Sequence, residues 1–171
     1  MSCQSYIPNI LTSVRFVAAP LFFYTFLNDL FLISASILVL ALITDVLDGY
    51  IARKLDVTSD MGAYLDVTSD FVLIVACFLA YVIKGWYDPL ILLLIIAMFL
   101  LFVATSGLKK PVYDPMGKYL GGYLMLMILA SILFPEFVVR QILFIVLILI
   151  CLTSVLTRFF FIRRSKELQS L

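Results

Sequence analysis

The chain has 171 residues, 64% of them hydrophobic, with a formal net charge of +1 and a mean hydropathy of +1.17. A soluble domain is about half apolar, so this composition excludes an ordinary soluble globule, and the small net charge offers nothing that would draw nucleic acid. Histidine is absent and the three cysteines, Cys3, Cys77 and Cys151, are far apart, which excludes imidazole catalysis, a disulfide framework and a zinc site, and leaves acid–base or metal chemistry to carboxylates.

A membrane helix needs about 20 apolar residues, and six stretches approach that length: about 10–27, 30–47, 65–83, 89–106, 119–134 and 137–162. The first opens on Pro8-Asn9 and carries Arg15, so it reads as a retained membrane segment rather than a cleaved signal. The breaks carry punctuation: Asn28-Asp29, Lys84-Gly85, Lys109-Lys110-Pro111 and Pro135-Glu136. Gly121-Gly122 in the fifth stretch marks a place where helices approach closely, either within the chain or at a subunit contact. No strand pattern competes, and open sheet edges are not viable in lipid. The expected architecture is all-α, an integral membrane bundle of six transmembrane helices forming a single domain, 1–171.

Basic residues set the orientation. With the N-terminus in the cytoplasm, the cytoplasmic parts hold Arg53, Lys54, Lys109, Lys110, Lys118, Arg158, Arg163, Arg164 and Lys166. The opposite side holds Lys84 and Arg140. The most polar part of the chain, 48–64, then faces the cytoplasm. Leu-Asp-Val-Thr-Ser-Asp occurs twice, at 55–60 and 65–70, and matches no solenoid period; it leaves open whether Asp56/Asp60 or Asp66/Asp70 is the functional pair.

Ionisable residues at membrane depth are costly and mark function. Asp45 and Asp48 close the second stretch at spacing i, i+3, and Asp66 and Asp70 open the third at i, i+4. Each spacing puts two carboxylates on one helix face. Four converging carboxylates repel one another unless cations intervene, and Arg53 and Lys54 are too few to neutralise them. Oxygen-only ligands select hard ions, so Mg²⁺ or Mn²⁺ is the natural match. Such ions hold phosphates, and a carboxylate can take the proton of an attacking hydroxyl. Gly49 and Ala52 lack bulk on the Asp48 side of the helix and would admit a nucleotide; Arg53 suits a phosphate, and Gly62 suits the turn into the third helix.

The segment Asp45–Asp70 resembles the signature of the CDP-alcohol phosphatidyltransferase family, D-x-x-D-G-x-x-A-R-x8-G-x-x-x-D-x-x-x-D. Asp45, Asp48, Gly49, Ala52, Arg53, Gly62, Asp66 and Asp70 fill every fixed position. Ile7-Pro8-Asn9-Ile10-Leu11-Thr12 with Arg15 and Pro20 is similar to the family's N-terminal segment. The signature assigns function to Asp66/Asp70 and leaves Asp56/Asp60 in variable sequence.

The resemblance implies a dinuclear metal site on Asp45, Asp48, Asp66 and Asp70, with Asp70 also the catalytic base. Asp48, Gly49, Ala52 and Arg53 would bind CDP. The implied reaction moves a phosphatidyl-type group from a CDP-lipid, CDP-diacylglycerol or CDP-archaeol, to an alcohol, releasing CMP in phospholipid biosynthesis at the cell membrane. The partners implied are the lipid, a small alcohol and a second copy of the chain, a homodimer.

The acceptor stays open. Phe71 stands where phosphoglycerol-type members carry Lys and inositol-phosphate-type members Arg, and serine-type members favour a Phe-Gly shortly after it. Gly117-Lys118 keeps only half of a G-K-x-K-T run. Glycerol-3-phosphate or another phosphorylated polyol would find Asn9, Arg15, Lys109, Lys110, Lys118 and Arg158 as candidate anion-binding residues. Arg15 could equally snorkel to the interface, and the lysines could be membrane anchors. A rival use of intramembrane aspartates is a cation or proton transporter. An intramembrane prenyltransferase, also Asp-rich and Mg²⁺-dependent, would leave the G-x-x-A-R element unexplained.

Overall fold

The computed structural model describes the backbone of residues 7–54, 60–106 and 115–167, and the side chains of 14–44, 67–104 and 119–159. The described backbone is all-helical: α1 (Ile7–Leu27), α2 (Phe31–Lys54), α3 (Asp60–Ile83), α4 (Leu90–Ser106), α5 (Pro115–Leu133) and α6 (Phe137–Glu167). Several helices run beyond the apolar stretches, and the two ends that meet at the signature matter most. The second helix runs through the signature to Lys54 and the third begins at Asp60, so Gly62 lies within a helix and makes no turn. Falling hydropathy marks where a chain leaves lipid, whereas the i→i−4 ladder continues wherever its own donors and acceptors are satisfied.

The helices cluster into two compact units, Met1–Trp86 and Tyr87–Leu171. In the first, α1 is the shared partner of α2 and α3. Thr25 of α1 and Ser34 of α2, both buried, join hydroxyls at 2.8 Å, and each hydroxyl also contacts a carbonyl of its own helix. An aromatic cluster closes this end. The Phe26 ring lies 4.8 Å from Tyr81 and 4.9 Å from Trp86, both edge-on, the geometry that ring quadrupoles favour.

Two helix ends in this unit share one device. After α1, the Leu30 amide bonds to the Thr25 carbonyl and the Asp29 amide to Phe26. After α3, Trp86 bonds to Tyr81 and Gly85 to Val82 in the same way. This is the Schellman arrangement, which requires a left-handed residue between the two bonds. Gly85 (φ 71°) supplies it in one case and Asp29 (φ 62°) in the other. Trp86 then stacks on Tyr81 at 5.4 Å, and Lys84 donates to Asp29 at 2.6 Å, tying the two caps together.

In the second unit α5 and α6 pack together. Tyr123 donates to the Leu143 carbonyl at 2.7 Å. Tyr87, just before α4, shares a 2.8 Å hydrogen bond with Ser131 of α5. Burial pushes the Tyr87 phenol above its ordinary value, opposed by the Ser131 bond and the Arg140 charge. A Cβ built at Gly121 or Gly122 meets nothing within 4 Å among the described residues of this unit.

Apolar side chains face outward on every helix among the described residues, with Leu32 82% and Leu93 66% exposed. Among the described residues one helix segment, Phe137–Phe159, is long and apolar enough to cross a membrane. The apolar described parts of the other five span 10–17 residues, short of the ~20 that a crossing needs. Cys77 and Cys151 are buried free thiols, in keeping with small apolar fillers; Cys3 lies outside the described residues.

These caps separate two kinds of glycine. Gly85→Ala should cost about 1 kcal/mol, because the left-handed backbone penalises a Cβ even in open space. Gly122→Ala, in helical backbone, should gain roughly 0.5–1 kcal/mol. Unfolding of the detergent-purified variants checks both signs.

Candidate functional site

The signature occupies two consecutive helices. Asp45, Asp48, Gly49, Ala52 and Arg53 are on the last three turns of α2, and Asp66 and Asp70 are on the first three turns of α3. Only residues 55–59 separate the helices, so their facing ends lie no more than roughly 20 Å apart. The chain path limits how far apart the two aspartate pairs can lie. Of the repeat's other pair, Asp60 is the first residue of α3, and Asp56 lies outside the described residues.

Asp70 is the one signature aspartate with a described side chain. Its carboxylate is 37% exposed and lies 3.0 Å from the Arg15 guanidinium, whose side chain is 6% exposed. The same nitrogen, Nη1, donates to the Ser69 hydroxyl at 3.1 Å, and Ser69 is fully buried. A buried guanidinium is costly unless a carboxylate and further acceptors match it. Arg15 thus does not snorkel; it crosses from α1 to α3 and meets the last aspartate of the signature. Ser69 was not singled out in the sequence. The contact joins residues 54 positions apart, and the sequence hints at it only through an Arg and a Ser inside apolar helices.

Arg158 is buried too, at 5% exposure, and donates from α6 to the Leu101 carbonyl of α4 at 3.0 Å. That bond adds a charged donor from α6 to a carbonyl within α4, giving Arg158 a structural role beside any anion-binding one. The side chains of Asn9, Asp45, Asp48, Arg53, Asp66 and Lys118, and the whole of Lys109 and Lys110, lie outside the described residues. Among the described residues no group of three or more His, Cys, Asp or Glu could hold a metal.

An all-helical chain with the complete D-x-x-D-G-x-x-A-R…D-x-x-x-D pattern on consecutive helices has the design of one enzyme class. The chain belongs to the CDP-alcohol phosphatidyltransferase family, whose model matches residues 5–156. It is 35% identical over 113 residues to the CDP-diacylglycerol–glycerol-3-phosphate 3-phosphatidyltransferase of Rickettsia bellii, covering 64% of this chain and 61% of that one. The enzyme of the same name from Aquifex aeolicus is 30% identical over 130 residues, 74% of this chain and 73% of its own. A rice relative, the chloroplastic CDP-diacylglycerol–glycerol-3-phosphate 3-phosphatidyltransferase 1, is 32% identical over 104 residues, 61% of this chain. The chain spans 32% of the rice protein's length and 61% of the Rickettsia protein's.

Replacing Arg158 with Met should cost about 1.5–3 kcal/mol, the net worth of a hydrogen bond from a charged donor. Arg158→Lys should recover part of that loss. Thermal unfolding of the two variants side by side checks the order.

Proposed function

We propose that this chain transfers a phosphatidyl group from CDP-diacylglycerol to the hydroxyl of glycerol-3-phosphate, releasing CMP. The observation that carries this reading is the complete signature on α2 and α3 within a family match over residues 5–156. The names of the Rickettsia and Aquifex relatives support the acceptor, which the sequence pattern around Phe71 and Lys118 left open.

In this reading Asp70 takes the proton of the acceptor hydroxyl. The hydroxyl oxygen forms a bond to the lipid-bearing phosphorus, the bond from that phosphorus to the bridging oxygen breaks, and CMP leaves with the electron pair. Gly49 and Ala52 admit the cytidine nucleotide, and Arg53 holds its phosphate. Asp45, Asp48, Asp66 and Asp70 would hold two divalent ions, Mg²⁺ or Mn²⁺. The donor set fits, being all carboxylate oxygen, and Asp70 already attracts a cation, the Arg15 guanidinium. When bound, the ions would offset the negative charge of the diphosphate and polarise it.

The setting follows from the same residues. Each helix, at 17–31 residues, reaches the lower bound of about 17 residues for a bilayer crossing, and the outward apolar side chains suit lipid. We read all six as transmembrane, forming one domain with the aspartates on the cytoplasmic face, where the basic residues concentrate. A homodimer completes the reading.

Purified protein supplied with CDP-diacylglycerol and Mn²⁺ should release CMP with glycerol-3-phosphate, and much less with glycerol, serine or inositol. Asp70→Asn should slow turnover by about 100-fold or more, the scale of a lost general base, while CDP-lipid binding persists. No CMP release with any acceptor would sink the assignment. Aspartate-dependent ion flux in liposomes would replace it with the transporter.

A further inference from the structure

Arg15 lies outside the signature, yet its guanidinium meets the signature's last aspartate at 3.0 Å. A single nitrogen serves Ser69 at 3.1 Å and Asp70 at 3.0 Å, from a side chain that is 6% exposed. Asp70 is far more open, at 37%. The carboxylate is therefore approached by a buried cation from α1 while remaining accessible to a second cation from outside. An arginine and a divalent ion cannot both satisfy one carboxylate without cost. Their mutual repulsion over a few ångströms persists even at an effective dielectric of about 20.

We propose that Arg15 is a positioning residue that holds Asp70 in the ion-free protein and competes with the divalent cation for its carboxylate, so that α1 sets the metal affinity of the aspartate cluster. This rests on the metal-dependent reading above and adds to it a residue and a direction. Removing the Arg15 charge has opposite effects on the two states. The ion-free protein loses the partner that balances a carboxylate in an apolar helix. The ion-bound protein loses a repulsive neighbour. A merely structural arginine would weaken both states together.

The test uses the full chain in detergent or nanodiscs, with Mn²⁺ alone as the probe. Binding is read by calorimetry or by the Mn²⁺ spin-resonance signal, and thermal unfolding is followed with and without the ion. Arg15→Gln should bind Mn²⁺ about tenfold more tightly than wild type, unfold at a lower temperature without it, and gain more from its addition. Arg15→Lys keeps the charge and should stay within about threefold of wild-type affinity. Arg15→Met, an apolar replacement suited to the buried position, should behave as Arg15→Gln does.

Equal or weaker Mn²⁺ binding by Arg15→Gln, with wild type binding normally, overturns the competition. So does failure of both neutral variants to fold even with Mn²⁺ present, because the ion should replace the missing charge. A wild-type chain that binds no Mn²⁺ overturns the metal reading itself, and this proposal with it. That outcome is distinct from a wild type that binds Mn²⁺ with an affinity the Arg15 variants do not improve.

Discussion

A carboxylate set into an apolar helix has to be matched by positive charge before the chain can leave water, and in the Met1–Trp86 unit Arg15 meets Asp70 across 3.0 Å. Both groups would be expensive alone in a low-dielectric surrounding. Paired, they give α1 and α3 a polar contact with strict geometry, where apolar packing by itself would tolerate sliding and rotation. The Ser69 hydroxyl narrows the geometry further, since one nitrogen must satisfy acceptors on two successive residues of α3.

The opposite end of the same unit is fixed by backbone rather than charge. Both helix ends close with a left-handed residue, Asp29 in one case and Gly85 in the other. The Phe26, Tyr81 and Trp86 rings fill the space between the caps, and the Lys84–Asp29 pair joins them. That pair is partly exposed and adds little on its own. Its position suggests that the stability of this end comes from ring packing and satisfied carbonyls. With one end held by caps and rings, and the other by Arg15, the α3 register that carries Asp66 and Asp70 is defined from both sides.

Much of this was legible beforehand because it depends on local pattern. Apolar runs in the sequence located all six helices, and the i, i+3 and i, i+4 spacings identified two carboxylate faces before any coordinates. Helix limits were less legible at 48–64, where polar residues imply an exit from lipid but not an end to helical hydrogen bonding; α2 and α3 both extend into that stretch. Gly62 was read as a turn residue and is helical, since glycine is permitted in turns without being confined to them. Gly121-Gly122 suggests close approach, and among the described residues of the second unit nothing lies within 4 Å of a Cβ built there.

The amino-acid sequence by itself determined the all-helical class and the family signature, because each is written in composition or in spacing along one or two adjoining helices. Only the tertiary structure decided what Arg15 does. Snorkelling and inward pairing are equally compatible with an arginine in an apolar helix, and the choice depends on what α3 presents to α1. Arg158 was decided in the same way, by the Leu101 carbonyl 57 residues away. Contacts over such separations follow from which helix faces meet, and that is set by the packing of whole elements rather than by any local pattern.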